Sequence, residues 1–343
     1  MADLLDVEDF VARSRTEPVI DVRTPAEFAD GHIPGAINLP LFSNPERAAV
    51  GTTYSDAGRQ AAMLEALDLV GPKMRTLVES AMQAVDGDTM LMHCWRGGMR
   101  SESVGWLLSF FGYRVRRLRG GYKAFRHFAR DALSRTRPIR ILGGLTGSGK
   151  TDVLHALQDR GEQIIDLEGC ARHRGSVFGG LGRDDQPTQQ QFENNLALQW
   201  HALDPERPVW IEDESRRIGD IGMPHALFDQ MQTAPALVLD VPDAARLDRL
   251  VDLYGAFEPD ELHDALNYIR QRLGGLRTQQ AHAAISTGHL RRACRIILSY
   301  YDDAYRHGLD QRPDDAVEVL ALDMSDPDAI AGRVMDHVSS PTR

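Results

Sequence analysis

Two α/β domains, each on a parallel sheet and the second with a helical C-terminal part, are what this sequence predicts. Three observations carry that expectation. The chain has 343 residues, which is two-domain length at about 100–200 residues per domain. Short apolar runs alternate with helical patterns, the signature of strand–helix–strand units. A polar, proline-ended segment, Arg135-Thr136-Arg137-Pro138, separates two such series. The expected domains are therefore 1–136 and 137–343. A composition of 42% hydrophobic and 26% charged residues excludes a wholly disordered or fibrous chain.

In the first series, Pro18-Val19-Ile20-Asp21-Val22 reads as a buried strand and Thr89 to His93 as another. A helix follows from Ser101 to about Phe111, with Trp106 to Phe111 read as a core segment. Tyr113 to Leu118 is a further strand. The second series opens with Ile139-Arg140-Ile141-Leu142 and continues with strands at Gln163 to Leu167, Val209 to Ile211 and Ala236 to Val241. From about Glu258 onward the pattern is helical, and Tyr300, Tyr301 and Tyr305 have spacings that can share a face. Cys294 falls in an apolar helical run and reads as core.

The opening MADLLDVEDF is acidic and lacks the basic start and apolar core of a secretory signal. No run approaches the roughly 18 apolar residues of a membrane span. Three dispersed cysteines, Cys94, Cys170 and Cys294, do not make a disulfide framework. A cytoplasmic protein without a membrane partner is expected.

The net charge of −11 argues against a protein that coats nucleic acid. Its distribution weakens that argument. Residues 1–137 hold 18 Lys/Arg against 17 Asp/Glu, and the remainder 21 against 33. Arg114, Arg116, Arg117, Arg119, Lys123, Arg126, Arg130, Arg135 and Arg137 have only Asp131 among them. The stretch reads either as a solvated surface or as a contact zone for a phosphate backbone.

The first chemical motif is His93-Cys94-Trp95-Arg96-Gly97-Gly98-Met99-Arg100-Ser101, between a strand and a helix. Backbone N–H groups and a helix N-terminus can converge there on Cys94, a setting that favours thiolate over thiol. Arg96 and Arg100 add charge, and Gly97 and Gly98 let the backbone curl. The cradle suits a tetrahedral oxyanion or a charged sulfur or selenium adduct. Two chemistries stay open: sulfur-type or selenium transfer, and phosphatase chemistry, because Cys94, five intervening residues and Arg100 also fit the cysteine-phosphatase pattern.

The second motif is Gly144-Leu145-Thr146-Gly147-Ser148-Gly149-Lys150-Thr151, a full Walker A pattern with a strand before it and a helix after. The backbone around Gly144, Gly147, Ser148 and Gly149 can hold phosphates while Lys150 supplies a point charge. Thr151 is the expected ligand of a magnesium ion. The pattern implies polyphosphate binding, of a nucleotide or of another diphosphate. Glu212 or Asp213, ending the apolar strand in VWIEDE, is the candidate partner carboxylate. Arg216 and Arg217, with His173 and Arg174, make a candidate second site near the phosphates. Cys170 and His173 supply only half of a zinc spacing.

Residues 21–40, DVRTPAEFADGHIPGAINLP, resemble the signature of rhodanese domains through Asp21, Arg23, Glu27, Gly31 to Ala36 and Asn38. That family includes a phosphatase branch, so the likeness sets a fold and not a reaction. The second domain is P-loop NTPase-like. Together with HCWRGGMRS, RLRGGYKAFR (118–126 as its core), GGLTGSGKT, HRGSVFG (173–179), QPTQQQFEN, WIEDESRRIG, RLGGLRTQQ and SYYDDAY, the chain resembles the bacterial tRNA 2-selenouridine synthases over nearly its whole length.

The resemblance implies a transferase that replaces sulfur by selenium in wobble 2-thiouridine of tRNA. It implies alkylation with geranyl diphosphate, then displacement of the S-geranyl group using selenophosphate. Cys94 would serve the selenium step, with Arg96, Gly97, Gly98 and Arg100 cradling the anion. Gly144 to Thr151 would take the diphosphate, with magnesium as an aid and no tightly bound cofactor. Partners would be tRNA, contacted by Arg114, Arg116, Arg117, Arg119, Lys123 and Arg126, and a selenophosphate supplier. The alternative is a rhodanese-fold phosphatase or sulfurtransferase coupled to a nucleotide-binding domain.

Overall fold

The computed structural model describes residues 3–176 and 178–339. Val177 of the HRGSVFG segment and the outer ends of the two expected domains (Met1, Ala2 and residues 340–343) lie outside the described residues. Chain contacts divide it into two units, residues 1–132 with 193–198, and residues 133–192 with 199–343.

The first unit holds five parallel strands: β1 (Asp3–Leu5), β2 (Val19–Asp21), β3 (Ile37–Asn38), β4 (Thr89–His93) and β5 (Arg114–Leu118), in the order β1-β5-β4-β2-β3. Side chains of β4 alternate across the sheet. Met90 and Met92 pack with Ile20, Val78, Leu108 and Val115 on one side. Leu91 packs with Phe10, Val19, Tyr122 and Phe125 on the other. Burial on both faces is why these strands read as continuous apolar runs.

Local capping fixes two helices near the site. Thr24 and Glu27 form a capping box at helix Pro25–Asp30, and Ser43 and Glu46 form another at Asn44–Val70. The helix after β4 runs Met99–Phe110, but its apolar window is not core. It buries Val104, Leu107 and Leu108, while Trp106, Phe110 and Phe111 stay 58%, 71% and 60% exposed. A window of unbroken apolar residues covers the full circumference of a helix, and only one stripe of this helix meets the sheet.

The second unit repeats the plan with β6 (Ile139–Gly144), β7 (Gln163–Ile165), β8 (Val209–Glu212), the small antiparallel pair β9 (Arg217–Ile218) and β10 (Ile221–Gly222), β11 (Ala236–Asp240) and β12 (Val317–Ala321). Its five-stranded parallel sheet runs β12-β11-β6-β8-β7, so the strand that feeds the Walker loop is central. Helices Asp243–Tyr254, Pro259–Tyr268, Gly275–Ser286 and Leu290–Leu309 make a second, helical core that includes Cys294.

Two expectations are corrected here. The C-terminal part is not helical throughout, because Val317–Ala321 pairs with β11 as an edge strand. Only Leu320 in it is buried, so its pattern was too weak to read. The strand at Gln163 stops at Ile165, because Asp166 accepts the N–H of Gly169 and caps a short helix from Leu167.

Candidate functional site

Cys94 follows β4 directly and is 3% exposed. Its Sγ lies 3.4 Å from Ser101 Oγ and 3.8 Å from the Gly98 carbonyl oxygen. The loop beyond it closes backbone against backbone. Gly97 has φ +67°, and a Cβ there would sit 2.6 Å from the Leu118 carbonyl oxygen. Gly121 has φ +61°, and a Cβ there would overlap the Cys94 carbonyl oxygen and the Gly97 nitrogen. Tyr122 N donates to the Cys94 carbonyl at 2.8 Å and Lys123 N to that of Trp95 at 3.0 Å. The RGGYK segment therefore holds the cysteine loop in shape. Gly98, at φ −95° with open space around it, is not sterically required.

Arg100 is committed to Glu27 through two hydrogen bonds of 2.6 and 3.1 Å. Burial acts to raise the pKa of Glu27, but the Arg100 and Thr24 hydrogen bonds and nearby arginine charges outweigh it and hold it below the ordinary value. Arg96 is exposed.

The DVRTPAEFADGHIPGAIN signature forms the floor. Asp21 and Arg23 are fully buried and bonded at 2.6–3.0 Å. Arg23 also donates to the Gly31 carbonyl at 2.7 Å, and its guanidinium lies 3.8 Å from the Tyr122 ring centre. Asn38 Nδ2 donates to the carbonyls of Asp21 and Arg23, both at 2.9 Å. His93 is buried beside this pair, and burial pushes its pKa down to about 4, so it is neutral at pH 7.

The basic stretch is not left with Asp131 alone. Arg114 pairs with Asp88, Arg116 with Glu17, Arg117 with Glu102, Arg119 with Asp6 and Arg126 with Glu193. Arg117 and Arg126 are 8% and 7% exposed, while Arg114, Arg119 and Lys123 face solvent. The partners come from other segments, which a local charge count could not reveal.

In the second unit, the Walker loop has the conformation its glycines allow. Gly147 and Gly149 have φ of +84° and +80°, and a Cβ at Gly147 would sit 3.0 Å from the Arg246 carbonyl oxygen. Lys150 Nζ donates to the Gly144 carbonyl at 2.9 Å. Ser148 is 5% exposed, and its Oγ has no hydrogen-bond partner among the described residues.

Thr151 Oγ1 donates to Glu168 Oε2 at 2.9 Å, and Glu168 N donates to Glu212 Oε1 at 2.7 Å. Glu214 completes a carboxyl cluster with Glu168 above Gly175, whose Cβ would lie 2.8 Å from one and 3.2 Å from the other. Burial, then the charge of Glu168, pushes Glu214 up to about 8. Burial and the neighbouring carboxylates also raise Glu212 well above the usual range. Among the described residues, no group of three or more His, Cys, Asp and Glu side chains is placed to hold a metal ion; Cys170 instead accepts a hydrogen bond from Gln199.

Asp213 points to other partners, accepting from Tyr305 Oη and from Arg312 Nη2, both at 2.9 Å. Arg216 and Arg217 do not reach the phosphate loop either. Arg216 lies against the His225 ring, and Arg217, on β9, donates to the Asp220 carbonyl. Arg174 Nη1 donates to the Leu181 carbonyl at 3.0 Å. His173 packs by Gly179, Gly180 and Gly219, with Nδ1 unpartnered among the described residues.

The family model described as the tRNA 2-selenouridine synthase AAA domain matches residues 137–321, and that of the rhodanese-like domain matches residues 6–127. A tRNA 2-selenouridine synthase of Shewanella loihica is 35% identical over 333 residues, covering 87% of this chain and 88% of its own. One from Cronobacter sakazakii is 37% identical over 353 residues, covering 90% and 91%. The chain belongs to the tRNA 2-selenouridine synthase family.

In this family member, sequence reasoning missed Glu168, the partner of Thr151, although the cue was present. Asp166 and Glu168 follow β7 as Glu212 and Asp213 follow β8. Glu27 and Tyr305 had no local cue, because each acts on a residue far along the chain.

Proposed function

We propose that this chain converts wobble 2-thiouridine of tRNA into 2-selenouridine with selenophosphate, through an S-geranylated intermediate made from geranyl diphosphate, in the cytoplasm. The reading rests on one observation above all: a thiol loop and a Walker loop are both intact in one chain of this family. The names of its relatives support it.

In the first step the thiocarbonyl sulfur attacks the first carbon of the geranyl group. Diphosphate leaves, and the N3 proton of the base is released. Lys150, the loop N–H groups and the unpartnered Ser148 hydroxyl suit the charge that develops on the leaving group. Thr151 and Glu168, two oxygen donors 2.9 Å apart, would hold a magnesium ion, which supplies further neutralisation of phosphate charge. In the second step selenium from selenophosphate attacks the ring carbon and geranylthiol leaves. Cys94 serves this step, and exposed Arg96 is the cation available to the incoming anion.

For tRNA, the exposed Arg114, Arg119 and Lys123 are the members of the basic stretch suited to phosphates. Exposed ion pairs contribute little, so Arg114 and Arg119 can exchange carboxylate for phosphate. A selenophosphate supplier is the expected protein partner. The phosphatase alternative asks Arg100 to clamp a phosphate, yet both terminal nitrogens of Arg100 are bonded to Glu27.

The test is to incubate the protein with 2-thiouridine tRNA, geranyl diphosphate and selenophosphate, and to weigh the digested nucleosides. Geranylated and selenated products are expected; absence of both rejects the reading.

A further inference from the structure

We infer that the Walker-loop unit carries a hydrocarbon subsite beside its phosphate nest, and that this subsite takes the isoprenoid chain of a prenyl diphosphate. The inference rests on the proposed reading that the Walker loop binds such a donor. Thr146, inside the loop, forms one wall of a small cavity whose other walls include Phe178, Leu250, Ile297, Leu298 and Tyr301. Leu250 packs directly on the loop, its Cγ 3.2 Å from where a Cβ of Gly147 would sit. A group held by the loop N–H donors therefore meets an apolar wall at once.

The wall offers a ligand almost no hydrogen-bonding edge. Its two hydroxyls from Ser176 and Tyr254 lie 3.1 Å apart and bond each other. A nucleoside brings a sugar and a base that need polar partners; a hydrocarbon needs none. Apolar cavities of this kind stay dry and accept hydrocarbon. The cavity amounts to about 10 Å³, the room of a single water. A chain enters by parting the walls, and Tyr301, half-buried on helix Leu290–Leu309, is the wall best placed to swing aside.

Chain length is the readout that a merely structural role would not move. The full-length protein is given 2-thiouridine tRNA with dimethylallyl, geranyl or farnesyl diphosphate in turn, and alkylated nucleosides are quantified by mass. Tyr301→Ala widens the cavity and should raise farnesyl use relative to geranyl by about tenfold. Leu298→Phe fills it and should lower geranyl use relative to dimethylallyl by about the same factor. Inhibition by inorganic diphosphate should be unchanged in both, because the nest is untouched. Unchanged chain-length ratios in a Tyr301→Ala protein that melts like the original overturn the subsite alone. Failure of the unaltered protein to use any of the three donors overturns the donor reading and the subsite with it.

Discussion

The hydroxyl of Tyr305 accepts the backbone N–H of Gly144 at 2.9 Å and donates to Asp213 at 2.9 Å. One side chain on the last long helix thus fixes the first residue of the phosphate loop. Burial, then the charge of Asp213, pushes the Tyr305 phenol pKa upward, so the proton stays on the oxygen and the donor role is permanent. Tyr305→Phe leaves a buried N–H without its acceptor, at a cost of about 1–3 kcal/mol. Denaturant unfolding should show that loss, and the KM for the diphosphate donor should rise.

Glu214 sets a second expectation. Its folded pKa, about 8, lies above the ordinary value, so the folded state binds more protons than the unfolded one between those limits. Stability should therefore fall as pH rises from about 4.5 towards 8. Glu214→Gln removes one of the coupled carboxyls, and the fall should flatten. Unfolding curves at a series of pH values measure this; an equally steep fall in the variant contradicts the assignment.

The Glu27–Arg100 pair has the opposite sign. Its carboxyl titrates below the ordinary value, so its contribution is present above about 4.5 and lost as pH falls through the folded value. The stability gap between the original protein and Glu27→Gln should be open at pH 7 and should close on acidification.

The two glycines of the cysteine loop should behave unlike each other. Gly98→Ala meets open space at ordinary φ and should leave folding intact. Gly121→Ala meets the Cys94 carbonyl at positive φ and should destabilise by more than the roughly 1 kcal/mol of a compatible glycine site. Thermal melting of the two proteins compares them directly.

Within the basic stretch, Ala substitution of Arg114, Arg119 and Lys123 together should weaken tRNA binding and flatten its salt dependence. Arg126→Ala should instead lower stability. It removes the buried partner of Glu193 and Asn194, and a buried group left unpaired is costly.

What could be read from the sequence was local chemistry. HCWRGGMRS and GGLTGSGKT were legible because a tight loop between strand and helix needs its glycines and charges side by side. The strands Thr89–His93 and Ile139–Gly144 were legible because a parallel sheet buries both faces. Partners brought from afar were not. Glu27 is 73 residues from Arg100, and Tyr305 is 161 from Gly144. Trp106 looked like core because periodicity cannot say which face of an all-apolar window is covered. Val317–Ala321 was missed because an edge strand with one buried side chain has almost no pattern.

The measurement that bears most directly on the account is a comparison of Cys94→Ala and Lys150→Ala on tRNA supplied as 2-thiouridine or already S-geranylated, read by nucleoside mass. The account predicts that Cys94→Ala still geranylates but does not selenate. It predicts that Lys150→Ala fails to geranylate yet selenates the pre-geranylated tRNA. Loss of both steps together in each folded variant would contradict the assignment of one loop to each step.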